Sequence, residues 1–269
     1  MITTVLLDLD DTILADDIAT ESAFLATARH AQAVAGIDPH ELVTRAREAA
    51  SREWEKGPFP EWLDGIGTSG IEGLRAEFAG EDEHWAIMRE FGPGFRRRTW
   101  QQALEAMGVG DADLAPTLDT LFARERSETN PWCHGADEAL TLLGERYRLG
   151  MVTNGIPDVQ RTKIIATGLT NRFDAIVVSG ELAVGKPDPA IYRHALQVLD
   201  ASPEETIMVG DSFARDVVGA QAMGIGAVWI SMGRPQPDHA EPWMVVESLA
   251  ELPVILSECE ESPGEAGPM

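Results

Sequence analysis

The sequence contains few cysteines, few basic residues and no long hydrophobic run. Only Cys133 and Cys259 occur in 269 residues, and their positions match no metal-ligand or redox spacing. This argues against a disulfide framework and favours a reducing compartment, so we expect a cytoplasmic protein. No apolar run approaches the roughly 20 residues that span a bilayer, and no secretory core forms before Asp8. We therefore expect no membrane partner.

Basic residues are outnumbered by acidic ones. The chain has 21 lysines and arginines against 45 aspartates and glutamates, which gives a formal net charge of −24 at pH 7. Nucleic acids repel so acidic a chain, so we predict no nucleic-acid partner. The molecule as a whole would also repel a small anionic substrate, so a site for one must supply positive charge locally.

The proportions of hydrophobic and charged residues are typical of a folded protein, and the chain length allows two domains. Hydrophobic residues make up 44% of the chain and charged residues 25%. The length suffices for one large α/β domain and a second, smaller one. Short apolar runs typical of buried strands occur at residues 2–7 and again after Asn130, where helical stretches separate them. This alternation predicts a doubly wound parallel α/β sheet. The later strands are expected at 149–153, 175–178, 206–209 and 227–230.

Between the first strand and Asn130 only helical patterns appear. Asp38, Pro39 and Glu41 predict a helix start, because they offer a cap, a proline in the first turn and an acid three positions on. The first strand can join the sheet only if the helical region is an excursion from it. Further helices are expected at 81–91, 95–107 and 113–126, and an irregular loop at 57–73. We therefore expect an α/β core at 1–14 and 131–256 that is interrupted by a helical insert at 15–130. The acidic tail at 257–269 is expected to be disordered.

Polar residues follow the apolar runs at the points where the strands end. Asp8, Thr153 and Asp211 each end a strand or follow one closely, and Lys186 lies in the loop after the third strand. Ligands of open α/β sheets bind at this carboxyl edge. Asp8 and Asp10 are two positions apart, which points both side chains to one side while the backbone stays extended.

Carboxylates crowded together in this way require a proton or a cation among them. One carboxylate can attack phosphorus as a nucleophile while its neighbour handles a proton. Mg²⁺ suits such a pocket, because it binds one or two carboxylates, waters and a phosphate oxygen. Lys186 and the hydroxyl of Thr153 could hold the other phosphate oxygens.

Four segments resemble the motifs of the haloacid dehalogenase superfamily: DLDDT (8–12), VTNG (152–155), the lysine of GKPDP, and GDSFARD (210–216). The resemblance extends to the N-acylneuraminate phosphatase branch over residues 148–235, and the helical insert is similar to the family's first cap type. The resemblance implies that Asp8 is the nucleophile and that Asp10 is the general acid and base. It implies that phosphate is bound by Thr153, Asn154 and Lys186. It also implies an Mg²⁺ cofactor held by Asp8, the carbonyl of Asp10 and Asp211, with Asp216 as an acid that orients the site.

Each motif taken alone also has an ordinary structural explanation. DLDDT can be a solvated turn, TNG is a good turn, KPDPA can begin a helix, and Asp211 or Ser212 can cap one. Their joint occurrence, in order and at successive strand ends, favours phosphoryl transfer.

Residues of the insert are harder to assign. Arg96, Arg97 and Arg98 are expected on a solvated helix face, with at most one, Arg98, reaching a substrate. The tryptophans of the insert are expected in its core, except Trp62, which is the candidate aromatic contact to substrate.

The combined hypothesis is an Mg²⁺-dependent phosphatase of a small phosphorylated metabolite, such as a sugar or acyl-sugar phosphate, that works through an aspartyl-phosphate. The cap would close, exclude water and contact the rest of the substrate. Two alternatives remain open: a 2-haloacid dehalogenase, which needs no metal and no acid at the second position, and a non-catalytic binder of a phosphometabolite or a protein. Substrate identity and oligomeric state stay open.

Overall fold

The computed structural model describes residues 1–80 and 82–261, and these form two compact units. The core unit comprises Met1–Asp16, Pro131–Asn154 and the described residues from Ile164 onward. The helical unit comprises Asp17–Asn130 and Gly155–Lys163. No helix in the described ranges is both long enough and apolar enough to cross a membrane.

A six-stranded parallel sheet forms the centre of the core unit, which confirms the predicted fold class. The strand order is β3-β2-β1-β4-β5-β6, and every neighbouring pair is parallel. The last strand was not predicted from the sequence. The strands are β1 (Thr4–Leu7), β2 (Arg148–Thr153), β3 (Ala175–Val178), β4 (Thr206–Gly210), β5 (Gly226–Ile230) and β6 (Met244–Val246).

Helices cover both faces of the sheet and surround the helical unit's own core. Short 3₁₀ turns lie at Leu169–Asn171, Pro203–Glu205 and Leu249–Glu251. The helices are α1 (Asp16–Ala35), α2 (Pro39–Glu55), α3 (Pro60–Gly65), α4 (Gly70–Gly73), α5 (Glu83–Ala106), α6 (Leu114–Glu128), α7 (Ala136–Gly144), α8 (Pro157–Ala166), α9 (Ser179–Leu182), α10 (Pro189–Leu199), α11 (Gly219–Gln221, which continues a π-helical turn at Phe213–Val218) and α12 (Leu252–Glu261).

The alternation of side chains along β1 shows why the strands are mostly apolar. Val5 and Leu7 belong to one hydrophobic cluster with residues of α7 and α12, while Leu6 belongs to another with residues of α10 and α11. Since both faces are covered, each residue of β1 is buried whichever way it points. The polar residues are thereby confined to the strand ends.

A third hydrophobic cluster forms the core of the helical unit. The helix of this unit that was predicted best from the sequence is α2. The Asp38 carboxylate accepts a hydrogen bond from the Glu41 amide at 2.8 Å, and Pro39 occupies the first turn, as expected. The core is rich in aromatic rings. Phe24 lies 4.5 Å from Phe122 between ring centroids.

A single helix, α5, replaces the two helices predicted at 81–91 and 95–107. It begins after the cap residue Asp82 and passes through Pro93 without a break, and Glu81 lies outside the described residues. Proline removes one helix hydrogen bond. Burial of Met88 and Phe95 in the same core on either side of it outweighs that loss.

The predicted loop at 57–73 contains two short helices, α3 and α4. Ser69 caps α4 by accepting from the Glu72 amide at 3.3 Å. A side chain at Gly70 or Gly73 would overlap Ala50 or Trp54. The glycines are therefore required for close packing against α2, and they do not indicate irregular structure here.

Two boundaries also differ from those expected. The segment Gly155–Lys163 groups with the helical unit, because the Asp158 carboxylate accepts from the Glu77 amide at 2.8 Å and the Ala79 amide at 3.1 Å. At the other end, α12 extends through residues 257–261 of the segment predicted to be disordered, since Leu252 and Leu256 are buried in the core. Residues 262–269 lie outside the described residues.

Candidate active site

The candidate site lies where the strand order of the sheet reverses direction. Chain order runs outward from β1 through β2 to β3 on one side and through β4 to β6 on the other, so β1 and β4 flank the switch point. Asp8 follows β1, and its amide continues the ladder by donating to Val209 at 3.0 Å. Asp211 follows β4, and Thr153 ends β2. The three predicted residues therefore meet at the edge where such sheets bind ligands.

Lys186 is buried between two carboxylates. Its Nζ lies 2.8 Å from Oδ1 of Asp8 and 2.6 Å from Oδ1 of Asp216. Burial raises the pKa of Asp8 and Asp216 adds to the rise, while Lys186 opposes it. Burial would lower the pKa of Lys186, but the two carboxylates outweigh it and raise the pKa. Lys186 is thus a buried positive charge at this edge of the sheet, and it is paired with two carboxylates.

Three carboxylates come together beside this lysine. Asp8, Asp211 and Asp216 each have an oxygen within 4.8 Å of the others. Burial, then Asp8 and Asp216, raises the pKa of Asp211 to about 7. Crowding of oxygen ligands that carry excess negative charge fits a hard divalent cation such as Mg²⁺. The predicted contribution of Asp10 is its main-chain carbonyl, and that stays a prediction.

A π-helical turn brings Asp216 into the carboxylate group. Its Oδ2 accepts from the Ser212 amide at 2.9 Å, and the hydroxyl of buried Tyr192 donates to the Arg215 carbonyl in the same turn. A side chain on Gly210 would overlap the Asp216 carboxylate. π turns often occur at functional sites. The roles of Gly210 and Tyr192 were missed from the sequence, which shows no local signal for a π turn.

The side chain of Asn154 holds the main chain of Lys186. Its Nδ2 donates to the Lys186 carbonyl at 2.8 Å, and the Lys186 amide donates to its Oδ1 at 2.8 Å. The Lys186–Pro187 peptide bond is cis. The side chain of Asn154, predicted to bind phosphate, is thus occupied in positioning the lysine.

The DLDDT segment forms a compact turn anchored by its apolar neighbours. Leu9 and Ile13 are fully buried, Asp10 is half-buried, and Asp11 adopts a left-handed conformation with φ 55°. The Thr12 hydroxyl accepts from the Asp211 amide at 3.2 Å. Thr12 therefore links the loops after β1 and β4, a role that the sequence did not suggest.

Comparison with known proteins identifies the family. The sequence model described as haloacid dehalogenase-like hydrolase matches residues 2–224. The chain belongs to this family. It is 36% identical over 252 residues to the phosphoserine phosphatase of Thermus thermophilus, covering 92% of this chain and 96% of the relative. It is also 34% identical over 166 residues to the N-acylneuraminate-9-phosphatase of Rattus norvegicus, covering 60% of this chain and 67% of that protein.

A solved structure supports the same assignment. The 2-haloacid dehalogenase of Pseudomonas syringae pv. Tomato superposes with a TM-score of 0.60 at 26% sequence identity, covering 96% of this chain and 99% of that one. The predicted superfamily and its resemblance to the phosphatase branch are confirmed. The protein is a haloacid dehalogenase-like hydrolase.

The two candidate substrate contacts of the hydrolase's helical unit have protein partners. Trp62 is half-buried and stacks on His84 with ring centroids 4.6 Å apart. Arg98 is exposed on one side, while its Nε donates to Oε2 of Glu53 at 2.6 Å. Arg96 is half-buried and donates to the Ala76 carbonyl at 2.7 Å, so it does not lie on the solvated face predicted for it. Substrate contact by Trp62 or Arg98 stays a prediction.

Glu53 is a buried carboxylate with three donors, and its replacement tests what holds the helical unit together. Burial raises its pKa, but hydrogen bonds from Lys56, Arg98 and Gln102 outweigh burial and lower the pKa to about 2 from an ordinary 4.5. Glu53→Gln is expected to lower the free energy of unfolding by about 2 kcal/mol at pH 7, since charge-assisted hydrogen bonds are lost. Urea unfolding measures this.

The same contribution has a defined pH dependence. A carboxyl whose folded pKa is depressed stabilises the fold fully above its unfolded pKa, and the stabilisation disappears as pH falls through the folded value. The difference between wild type and Glu53→Gln should therefore shrink between pH 4.5 and pH 2. The exposed neighbour Glu55→Gln is the control and should change stability little. If the two substitutions lowered the free energy of unfolding equally, the hydrogen bonds to buried Glu53 would contribute no more to stability than an exposed glutamate does.

Proposed function

We propose that this hydrolase is an Mg²⁺-dependent phosphatase that cleaves a small phosphate monoester through an aspartyl-phosphate on Asp8. The observation that carries the proposal is the pairing of Asp8 with buried Lys186, inside a group of three carboxylates at the switch point of the sheet. A nucleophile, a fixed cation for the transferred group and oxygen ligands for a metal are thereby present within one edge.

In the proposed reaction, Asp8 attacks phosphorus and Asp10 donates a proton to the leaving alcohol. Asp10 then removes a proton from water, which hydrolyses the aspartyl-phosphate and regenerates Asp8. Lys186 and the Thr153 hydroxyl hold phosphate oxygens, and Asn154 contributes through its main-chain amide because its side chain holds Lys186. Mg²⁺, held by Asp8, Asp211 and the Asp10 carbonyl, would neutralise charge on the phosphoryl group.

The relatives suggest where to look for the substrate. The phosphoserine phosphatase shares identity across 92% of this chain, whereas the N-acylneuraminate-9-phosphatase shares it across 60%. We therefore place phosphoserine first among candidate substrates and an acylated sugar phosphate second. Both are small phosphorylated alcohols, which agrees with the proposed role of Asp10 as the leaving-group acid.

Hydrolysis of 2-haloacids is the second candidate, because the dehalogenase of Pseudomonas syringae has a similar structure. A halide leaves without a proton and without a metal, so that reaction has no use for Asp10 as acid or for Asp211 as ligand. The presence of both acids, with Asp211 in the carboxylate group, favours phosphate monoesters.

A phosphate-release screen in the presence of Mg²⁺ tests the proposal. The panel includes phosphoserine, N-acetylneuraminate 9-phosphate, other sugar phosphates and an aryl phosphate, with 2-chloropropionate assayed for chloride. We expect release of phosphate from at least one ester and its loss on chelation with EDTA, because Lys186 alone would then face the phosphoryl charge. Release should return when Mg²⁺ is restored.

Two results would contradict the proposal. Phosphate release that persists in EDTA would show that the reaction does not require a metal. Chloride release without phosphate release would establish the dehalogenase instead. Ca²⁺ serves as a matched control for cation identity, since its larger and more flexible coordination shell should support less turnover than Mg²⁺.

A further inference from the structure

A tight turn after β5 brings an arginine onto the carboxylate group from outside the four motifs. One nitrogen of Arg234, Nη2, donates to the main-chain carbonyl of Asp211 at 2.7 Å and lies 3.3 Å from its Oδ2. The same arginine therefore contacts both the main chain and the carboxylate of a single residue. Such a contact restricts rotation of the Asp211 side chain relative to its own backbone.

The arginine is itself fixed by the turn that carries it. Its Nε donates to the Ser231 carbonyl at 2.9 Å, and Nη2 also contacts the Ile230 carbonyl at 3.0 Å. Met232 and Gly233 both adopt positive φ, at 48° and 74°, which folds the chain back sharply enough for the arginine to reach these carbonyls. A left-handed conformation at methionine is unfavourable, so the surrounding contacts must hold the turn.

The rest of Asp211 is held independently. Its amide donates to the Thr12 hydroxyl at 3.2 Å, and its carbonyl accepts from Nε1 of Trp229 at 2.9 Å. The main chain of Asp211 thus keeps two anchors when Arg234 is removed. What Arg234 adds specifically is the orientation and charge compensation of the carboxylate.

We infer that Arg234 is a positioning residue that sets the affinity of the site for its divalent cation by orienting the Asp211 carboxylate. The inference rests on the proposed function, in which Asp211 is a metal ligand. It adds a residue from the loop after β5 to a site otherwise assembled from the four motifs.

Arg234 can change the affinity of the site for a metal in two opposite ways, by orienting the Asp211 carboxylate or by adding a positive charge beside it. The size of each effect decides which one dominates. A guanidinium close to a metal ligand repels the metal, so its removal would tighten binding if charge dominated. The Arg234 side chain is 44% exposed, and ion pairs exposed to solvent contribute little because water screens them. Loss of a partner that orients a metal ligand typically weakens metal binding by roughly 10- to 100-fold. Orientation should therefore dominate.

Equilibrium binding of Mn²⁺ to the full chain, followed by the EPR signal of the free ion, measures the affinity without turnover. Mn²⁺ is the probe because it prefers the same oxygen ligands as Mg²⁺. Arg234→Ala should weaken binding by about tenfold. Arg234→Lys keeps the charge but lacks the planar fork that reaches several carbonyls at once, so it should weaken binding to nearly the same extent. At saturating Mg²⁺, kcat should stay within about twofold of wild type while the Mg²⁺ requirement rises about tenfold.

The matched control is Arg172, which contacts both the carboxylate and the carbonyl of Asp137 at 2.8 and 3.1 Å, away from the carboxylate group. Arg172→Ala should leave Mn²⁺ affinity unchanged, and circular dichroism checks that all variants are folded. The inference is overturned by unchanged or tighter binding in Arg234→Ala, by wild-type affinity in Arg234→Lys, or by a wild-type chain that binds no Mn²⁺. Failure of the proposed function would appear separately, as normal Mn²⁺ binding without phosphate release.

Discussion

Replacing Asp8 with asparagine is expected to lower kcat for phosphate release by at least about a thousandfold and to leave the fold intact. In the proposed reaction Asp8 is the covalent nucleophile, so its removal eliminates that chemical route and leaves only the catalysis that binding and charge stabilisation supply. The amide has nearly the volume of the carboxylate, and it removes one negative charge from a group of three acids, two of which are buried. The repulsion in that group should therefore fall, so we expect thermal stability to be retained.

The control for Asp8→Asn is a carboxylate of the same unit at the opposite edge of the sheet. Asp174 precedes β3, and its Oδ2 accepts from the Leu149 amide at 2.9 Å. Asp174→Asn should keep kcat near that of wild type. Initial rates with the best ester of the panel measure both variants. Near wild-type turnover in folded Asp8→Asn would disprove the covalent route through this residue.

Replacing Lys186 with methionine should produce the largest loss of stability, about 3 kcal/mol in the free energy of unfolding at pH 7. Methionine has a similar length but leaves Asp8 and Asp216 buried without their cation. Removing one partner from a buried ion pair strands the remaining charge, which costs more than the pair itself contributes. Urea unfolding followed by fluorescence measures the loss, and phosphate release should be abolished as well.

Two further variants distinguish a stranded charge from general disruption. Adding Asp216→Asn to Lys186→Met removes one of the stranded carboxylates and should recover part of the lost stability. Lys56 also pairs with a buried carboxylate, that of Glu53, but its side chain is 65% exposed, so Lys56→Met should cost less than about 1 kcal/mol. A Lys186→Met chain as stable as wild type would mean that the ion pairs contribute no net stability.

Local sequence patterns were sufficient to predict an element where a single physical cause acts on one short stretch of the chain. The runs that became β1 to β5 are apolar because helices cover both faces of the sheet, and their register places the polar residues that follow at one edge. The start of α2 was readable because a cap and its partner lie three residues apart. Both signals are complete within a few positions.

The same reasoning failed where tertiary packing outweighs local preference. The gap between the two helices predicted at 81–91 and 95–107 contains Pro93, and the loop predicted at 57–73 contains Gly70 and Gly73; proline and glycine usually weaken helices. Packing of α5 on the aromatic core carries the helix past Pro93, and the two glycines permit close contact with α2. Neither compensation is visible without the residues on the other side of the contact.

The sequence by itself determined the fold class, the family and the acids and lysine that end up at the switch point, because these depend on apolar periodicity and on motifs of a few residues. Only the tertiary structure decided how those residues are held: Asn154 on the main chain of Lys186, Asp216 within the carboxylate group, and Arg234 on Asp211. These contacts join positions far apart in the chain, where no local pattern links the partners. Their geometry arises only when the strands and the loops that follow them come together.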